Sequence, residues 1–77
     1  MENNINFAFA RTLRKLRMEK NLTQERLAEV SGVDYKYLQK LEGNNPSSPT
    51  LSTLEKLSKG LNISLSELIH SLETASS

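Results

Sequence analysis

A chain of 77 residues is long enough for one small domain, and we expect residues 1–77 to form a single one. It has no cysteine and one histidine, which excludes disulfides, thiolate metal sites and a zinc site built from histidines. No apolar run approaches the roughly 18 residues of a membrane span, and the first four residues lack a signal-peptide pattern. We therefore expect a cytoplasmic protein without a membrane partner.

The formal net charge is only +1, but the charge is unevenly distributed along the chain. Residues 11–40 hold eight of the ten basic side chains and four of the nine acidic ones, which gives this segment a net charge of +4. Residues 41–77 carry two basic and four acidic side chains. Basic residues that merely solvate a helix would give the same totals, but their concentration in one segment is typical of a surface that meets phosphates.

Apolar periodicity predicts an all-α chain of five helices, because no useful length alternates with the period of a strand. The predicted helices cover about residues 6–20, 24–31, 35–42, 51–60 and 65–73. The last four each follow a side chain that favours helix N-termini: Thr23, Asp34, Thr50 and Ser64. Residues 43–49 have two prolines, one glycine and no other apolar residue, so we predict a loop there.

Each predicted helix has an apolar face that we expect to be buried. In helix 1 this face is Phe9, Leu13 and Leu16. In helix 2 it is Leu27, Ala28 and Val30. Around helix 3 it is Val33, Leu38 and Leu41. In helix 4 it is Leu51, Leu54, Leu57 and Leu61.

Gly32 separates the second and third predicted helices. A sharp turn at this point needs a positive φ, which glycine adopts without strain. Two short helices joined in this way have the layout of a helix-turn-helix, a unit that presents its second helix to the DNA major groove.

The residues that carry a family resemblance extend over most of the chain. They are Leu13, Leu16, Arg17, Leu22, Thr23, Gln24, Leu27, Ala28, Gly32, Val33, Leu38, Leu41, Glu42, Pro49, Leu54 and Leu57. Jointly they resemble the lambda-repressor-like (Cro/C1, or xenobiotic-response-element type) DNA-binding family. The chain is also similar to small controller proteins of restriction–modification systems and to compact phage repressors. It departs from the usual family pattern in its long 43–49 loop and in lacking a basic residue after Gly43.

The resemblance implies a five-helix domain that binds double-stranded DNA sequence-specifically and regulates transcription. It assigns base reading to Tyr35, Lys36 and Lys40 on helix 3. The two lysines are four residues apart on one helical face, and lysine can donate to guanine O6 and N7. Tyr35 has two interpretations, contact with a thymine methyl or with a phosphate. Solvated surface side chains are the alternative for all three.

Uncharged donors around the helix-turn-helix are candidates for phosphate contact. The resemblance implies this role for Gln24, which lies in the first turn of helix 2, where free N–H groups and the helix dipole attract an anion. The other candidates are Tyr37, Asn44, Asn45, Ser47 and Ser48. The Tyr37 ring alternatively packs on helix 2, and the loop residues alternatively only close the turn.

Arg17 and Glu42 match the family's structural ion pair, which links helix 1 to the end of helix 3. The resemblance thus implies a scaffold role for both residues. Contact between Arg17 and a phosphate is the alternative interpretation.

Helix 5 carries an apolar stripe at the end of the chain. We expect Leu65 and Leu68 to complete the monomer core, and Ile69 and Leu72 to be exposed. Family members commonly form two-fold dimers through this end, so the predicted homodimer interface includes Leu65, Ile69 and Leu72. Such a dimer places two helices about 34 Å apart, one DNA turn, on a palindromic operator.

The sequence contains no Ser-His-acid set, glycine-rich phosphate loop or metal cluster. We therefore predict neither catalysis nor a cofactor, metal ion or small-molecule ligand. The alternative function is an antitoxin-like protein-interaction module whose helix-turn-helix is auxiliary. Such proteins usually carry a separate toxin-binding segment, and residues 73–77 are too short to be one.

Overall fold

Five α-helices form the described part of the chain, so the predicted all-α fold is confirmed. In the computed structural model they are α1 (Ile5–Glu19), α2 (Gln24–Ser31), α3 (Tyr35–Leu41), α4 (Leu51–Gly60) and α5 (Leu65–Ser76). The structure describes residues 4–76, except for the side chain of Ser76. Ser77 and the first three residues, which belong to the segment that lacks a signal-peptide pattern, lie outside this range. None of the described helices has the length and apolar character needed to cross a membrane.

Polar side chains begin the helices by accepting hydrogen bonds from first-turn N–H groups. The predicted caps Thr23, Asp34 and Thr50 each accept from the backbone N–H three residues on, at 3.0–3.1 Å. A fourth cap, Asn4, was not predicted; its Oδ1 accepts from the backbone N–H groups of Asn6 and Phe7, so α1 begins at Ile5.

The predicted capping box at the start of α5 is confirmed. Ser64 Oγ accepts from the Glu67 backbone N–H at 3.0 Å, and Glu67 Oε1 accepts from the Ser64 backbone N–H at 2.8 Å. The hydrogen bond that the Ser64 backbone N–H donates to this carboxylate lowers the pKa of the Glu67 carboxyl below its usual value, and the Ser64 side chain adds to the effect. The helix they start continues to Ser76, three residues further than predicted.

A single leucine-rich core holds the five helices together. Its fully buried side chains are Leu13, Leu27, Leu38, Leu41, Leu57, Leu61 and Leu68. α1 packs along α5, while α2 packs against both α3 and α4. This arrangement leaves one side of α3 uncovered by the other helices.

Two side chains that we predicted to be buried, in the second and fourth helices, are exposed. Leu51 is 76% exposed, because it is the first residue of α4, and the helix enters the core only from Leu54 onward. Val30 is also exposed, because α2 turns Leu27, Ala28 and Ser31 toward the core and Val30 away from it. In both cases the apolar spacing identified the helix correctly but assigned one end residue to the wrong side.

α2 and α4 approach each other closely at Gly60. A Cβ atom placed on Gly60 would fall on Ser31 Oγ and would lie 3.0 Å from Ser31 Cβ. Ser31 is buried, and its Oγ makes no hydrogen bond. The absence of a side chain at Gly60 therefore sets the distance between the two helices.

We expect Gly60→Ala to lower the free energy of unfolding by about 1–3 kcal/mol, because the added methyl group overpacks this contact. Urea denaturation measures the loss. Ser31→Ala/Gly60→Ala should recover part of it, since the nearest atom is then absent. A Gly60→Ala protein as stable as the parent would contradict the close packing of α2 and α4.

Candidate nucleic-acid interface

Gly32 forms the turn between α2 and α3. Its φ of 72° lies in the left-handed region, and a Cβ placed on it would meet nothing within 4 Å. Glycine is thus favoured here by backbone conformation and not by crowding. The Val33 N–H donates to the Ala28 carbonyl oxygen at 3.1 Å and closes the turn, and Asp34 starts α3 directly afterwards.

α3 has one face in the core and another in solvent. Leu38 and Leu41 are fully buried, whereas the three predicted base readers, Tyr35, Lys36 and Lys40, are all exposed. The structure therefore brings these three side chains to the outer side of the helix. Gln39, which our sequence interpretation did not single out, is exposed on the same side.

Tyr37, the third side chain of α3, is half-buried and packs against the hydrophobic core. This contact agrees with the ring-packing alternative for Tyr37. Its backbone N–H donates to Asp34 Oδ2 at 3.1 Å, so the residue also helps to start the helix.

A buried polar cluster fastens α1, α2 and the end of α3 together. Arg17 Nε and Nη2 donate to the two Glu42 carboxylate oxygens at 2.7 and 3.0 Å, and Arg17 Nη1 donates to the Leu22 carbonyl oxygen at 2.7 Å. Only 12% of the Arg17 side chain and 2% of the Glu42 side chain are exposed. A bidentate pair of this kind fixes the relative position of two helices as well as neutralising both charges.

Gln24 belongs to the same cluster. Its Nε2 donates to Glu42 Oε1 at 3.1 Å, so the carboxylate accepts from two different side chains. The Gln24 amide is therefore held in place at the first turn of α2, with one donor hydrogen already used. The hydrogen bond was not predicted, because 18 residues separate the two partners in sequence.

The 43–49 loop is attached to α1. Ser48 Oγ and the Asn6 side-chain amide exchange two hydrogen bonds, Nδ2 to Oγ at 2.8 Å and Oγ to Oδ1 at 3.1 Å. Asn44 and Asn45 are exposed immediately after α3, and Ser47 is half-buried. The loop thus exposes two asparagines shortly after the C-terminal end of α3.

The helix 5 assignment needs a correction. Leu72 is only 7% exposed and belongs to the core, whereas Leu65 is 38% exposed. The reason is that Leu68 and Leu72, four residues apart, form the face of α5 that enters the core, and Leu65 and Ile69 lie at its edge. Exposed apolar surface on α5 therefore comes from Leu65 and the partly buried Ile69.

A polar, basic outer surface of α3 beside the N-terminus of α2 is suited to an anionic, groove-shaped partner. Within residues 4–76, no cluster of three or more histidine or acidic side chains has the arrangement of a metal site.

Comparison with known proteins identifies this arrangement. A helix-turn-helix family model matches residues 13–68, and the chain belongs to this family. It is 42% identical over 72 residues to the control protein C.MunI of Mycoplasma sp, and the match covers 92% of this chain and 96% of that protein. The resemblance to Cro/C1-type helix-turn-helix proteins and restriction–modification controller proteins is thereby confirmed.

Two further similarities differ in how much of the relative they cover. The chain is 40% identical over 75 residues to the HTH-type transcriptional regulator SutR of Escherichia coli (strain K12). This match covers 97% of the present chain but only 41% of SutR. Its fold matches that of C.Esp1396I, a restriction–modification controller protein, in the structure of that protein bound to a 19 base pair DNA duplex. That match has a TM-score of 0.84 at 31% identity and covers 92% of this chain and 93% of the other.

Proposed function

We propose that this chain is a non-catalytic transcriptional regulator that binds a palindromic operator in double-stranded DNA as a homodimer. One observation carries the proposal. Tyr35, Lys36 and Lys40 stand together on the solvent side of α3, while the opposite side of the same helix is fully buried. A helix held by its inner face can enter a major groove without rearranging the core.

The similarity to a controller protein in a DNA-bound structure supports the same conclusion. The +4 charge of residues 11–40 gives each subunit an attraction to phosphate despite its low net charge. Asn44, Asn45 and Ser47 supply uncharged donors beside α3, and we assign them and Gln24 to the DNA backbone.

Titration of the protein with a labelled duplex from upstream of its own gene tests the function. We expect tight binding to this duplex and weak binding to a shuffled one, with log K falling linearly against log salt concentration. Equal affinity for both duplexes would contradict sequence-specific regulation. The absence of binding to either would favour the alternative of a protein-interaction module.

The homodimer is proposed from the surface of α5. Leu65 and Ile69 are four residues apart, so they lie on the same side of the helix, and both expose apolar surface. The subunit is 33 Å in its longest dimension, comparable to the separation of about 34 Å between successive major grooves. Two subunits joined side by side are therefore large enough to present two α3 helices to one face of DNA.

We expect Leu65→Asp/Ile69→Asp to convert the dimer into a monomer, because four carboxylates would then meet across the two-fold axis. Sedimentation velocity measures the change in mass. Met18→Asp is the matched control, since Met18 is an exposed apolar residue on α1 and not on α5. An unchanged mass for the double variant would remove this face of α5 from the interface. Leu72→Asp is unsuitable, because a buried charge would unfold the subunit.

A further inference from the structure

Gln39 lies near the centre of the exposed side of α3. A helix advances about 100° per residue, and Leu38 and Leu41 define the direction of the core. Lys36 then points most directly outward, and Gln39 and Lys40 lie about 50° to either side of the direction opposite the core. Gln39 is as favourably placed to meet a partner of α3 as Lys40.

The Gln39 amide is also oriented by a neighbour. Its Nε2 donates to the Tyr35 hydroxyl at 3.1 Å, one helical turn away. Both residues are exposed, so the bond lies on the surface and not in the core. A long polar side chain that would otherwise sample several rotamers is thus held by a rigid aromatic one.

The hydrogen-bonding capacity that remains on Gln39 matches one base. A glutamine amide has two N–H donors and one carbonyl acceptor, and the bond to Tyr35 uses one donor. The remaining N–H and carbonyl oxygen complement adenine, which accepts at N7 and donates from N6 in the major groove. Guanine offers two acceptors there and leaves the amide oxygen without a donor.

We propose that Gln39 reads adenine in the operator half-site and that the Tyr35 hydroxyl is its positioning group. This assignment rests on the proposed function, because it requires α3 to lie in the major groove. It adds an amide reader to the two lysines, which are suited to guanine, so that α3 distinguishes A·T from G·C pairs at neighbouring positions.

Selection from a library of random duplexes of about 20 base pairs, the length of two half-sites, tests the assignment. The full-length parent, Gln39→Ala and Tyr35→Phe are each taken through selection and sequencing. For Gln39→Ala we expect the preference for adenine at one position of each half-site to fall by about 5- to 150-fold, with the other positions unchanged. Tyr35→Phe removes only the hydroxyl and should weaken the preference at the same position.

The double variant separates positioning from independent contact. If the hydroxyl acts through Gln39, Tyr35→Phe/Gln39→Ala should show no greater loss at that position than Gln39→Ala alone. Met18→Ala, a change to an exposed residue of α1, should leave every position unchanged.

Three results would overturn the assignment. The first is selection of the parent's sequences by Gln39→Ala with unchanged preference, and the second is an equal loss of its affinity for all sequences while the parent still selects a defined site. In both cases sequence-specific binding stands and Gln39 is not a reader. If the parent itself enriches no sequence, the proposed function fails, and the assignment of Gln39 fails with it.

Discussion

Glu42→Ala is expected to lower the free energy of unfolding by about 3–5 kcal/mol, because it leaves the buried Arg17 guanidinium without its carboxylate. The same change removes the acceptor of the Gln24 amide. Native proteins have total stabilities of about 5–15 kcal/mol, so a loss of this size would bring a domain at the lower end of that range close to unfolding. Urea denaturation at pH 7 with circular dichroism measures the loss.

A second ion pair in the chain provides the control. Arg26 and Glu29 approach to the same N–O distance, 2.7 Å, but their side chains are 58% and 70% exposed. Glu29→Ala should therefore cost about 0–1 kcal/mol, because water replaces the lost partner. Similar losses from Glu42→Ala and Glu29→Ala would show that burial does not govern the Arg17–Glu42 contact. Replacing both buried partners with apolar residues should cost less than Glu42→Ala alone.

Lys36→Ala and Lys40→Ala should each reduce binding to the preferred operator by about 1–3 kcal/mol, with the loss concentrated at particular base pairs. Both lysines are exposed on α3, and we expect their ammonium groups to reach guanine O6 and N7. Fluorescence anisotropy with a set of single-base operator variants measures the loss. A lysine that reads a base should give a variant protein that no longer distinguishes the substitutions at that base pair.

Salt dependence distinguishes a base contact from a phosphate contact. A lysine on a phosphate, when removed, weakens binding to all sequences alike and lowers the slope of log K against log salt by about one. Lys59→Ala, at the far end of α4, controls for the loss of one positive charge. Uniform losses for Lys36→Ala and Lys40→Ala would reassign both side chains to the DNA backbone.

Features that depend on a few consecutive residues could be predicted from the sequence. The caps at Thr23, Asp34, Thr50 and Ser64, and the left-handed glycine at position 32, are each decided by one side chain or its absence. Local backbone chemistry dominates at these points, so the sequence correctly predicted the order of the helices and the exposed side of α3.

Features that depend on how helices meet could not be predicted in the same way. Helical spacing places Leu65, Leu68, Ile69 and Leu72 in one stripe, but only the docking of α5 on α1 decides which of them are covered. The hydrogen bond between Gln24 and Glu42 spans 18 residues, and the hydrogen bonds between Asn6 and Ser48 span 42. No local sequence pattern predicts them. The bond from Gln39 to Tyr35 is local, and attention to four-residue spacing among polar side chains would have found it.

The attachment of Ser48 to Asn6 has a consequence for how this protein can diversify. Glu42 is hydrogen-bonded to Arg17, and Ser48 is hydrogen-bonded to Asn6 of α1, so residues 43–47 form a strap that is held at both ends. We expect substitutions within the strap to leave the tilt of α3 unchanged, because the hydrogen bonds of Glu42 and Ser48 hold its two ends. We therefore expect evolution to alter the strap freely when the protein adapts to a new binding site, while both anchors persist.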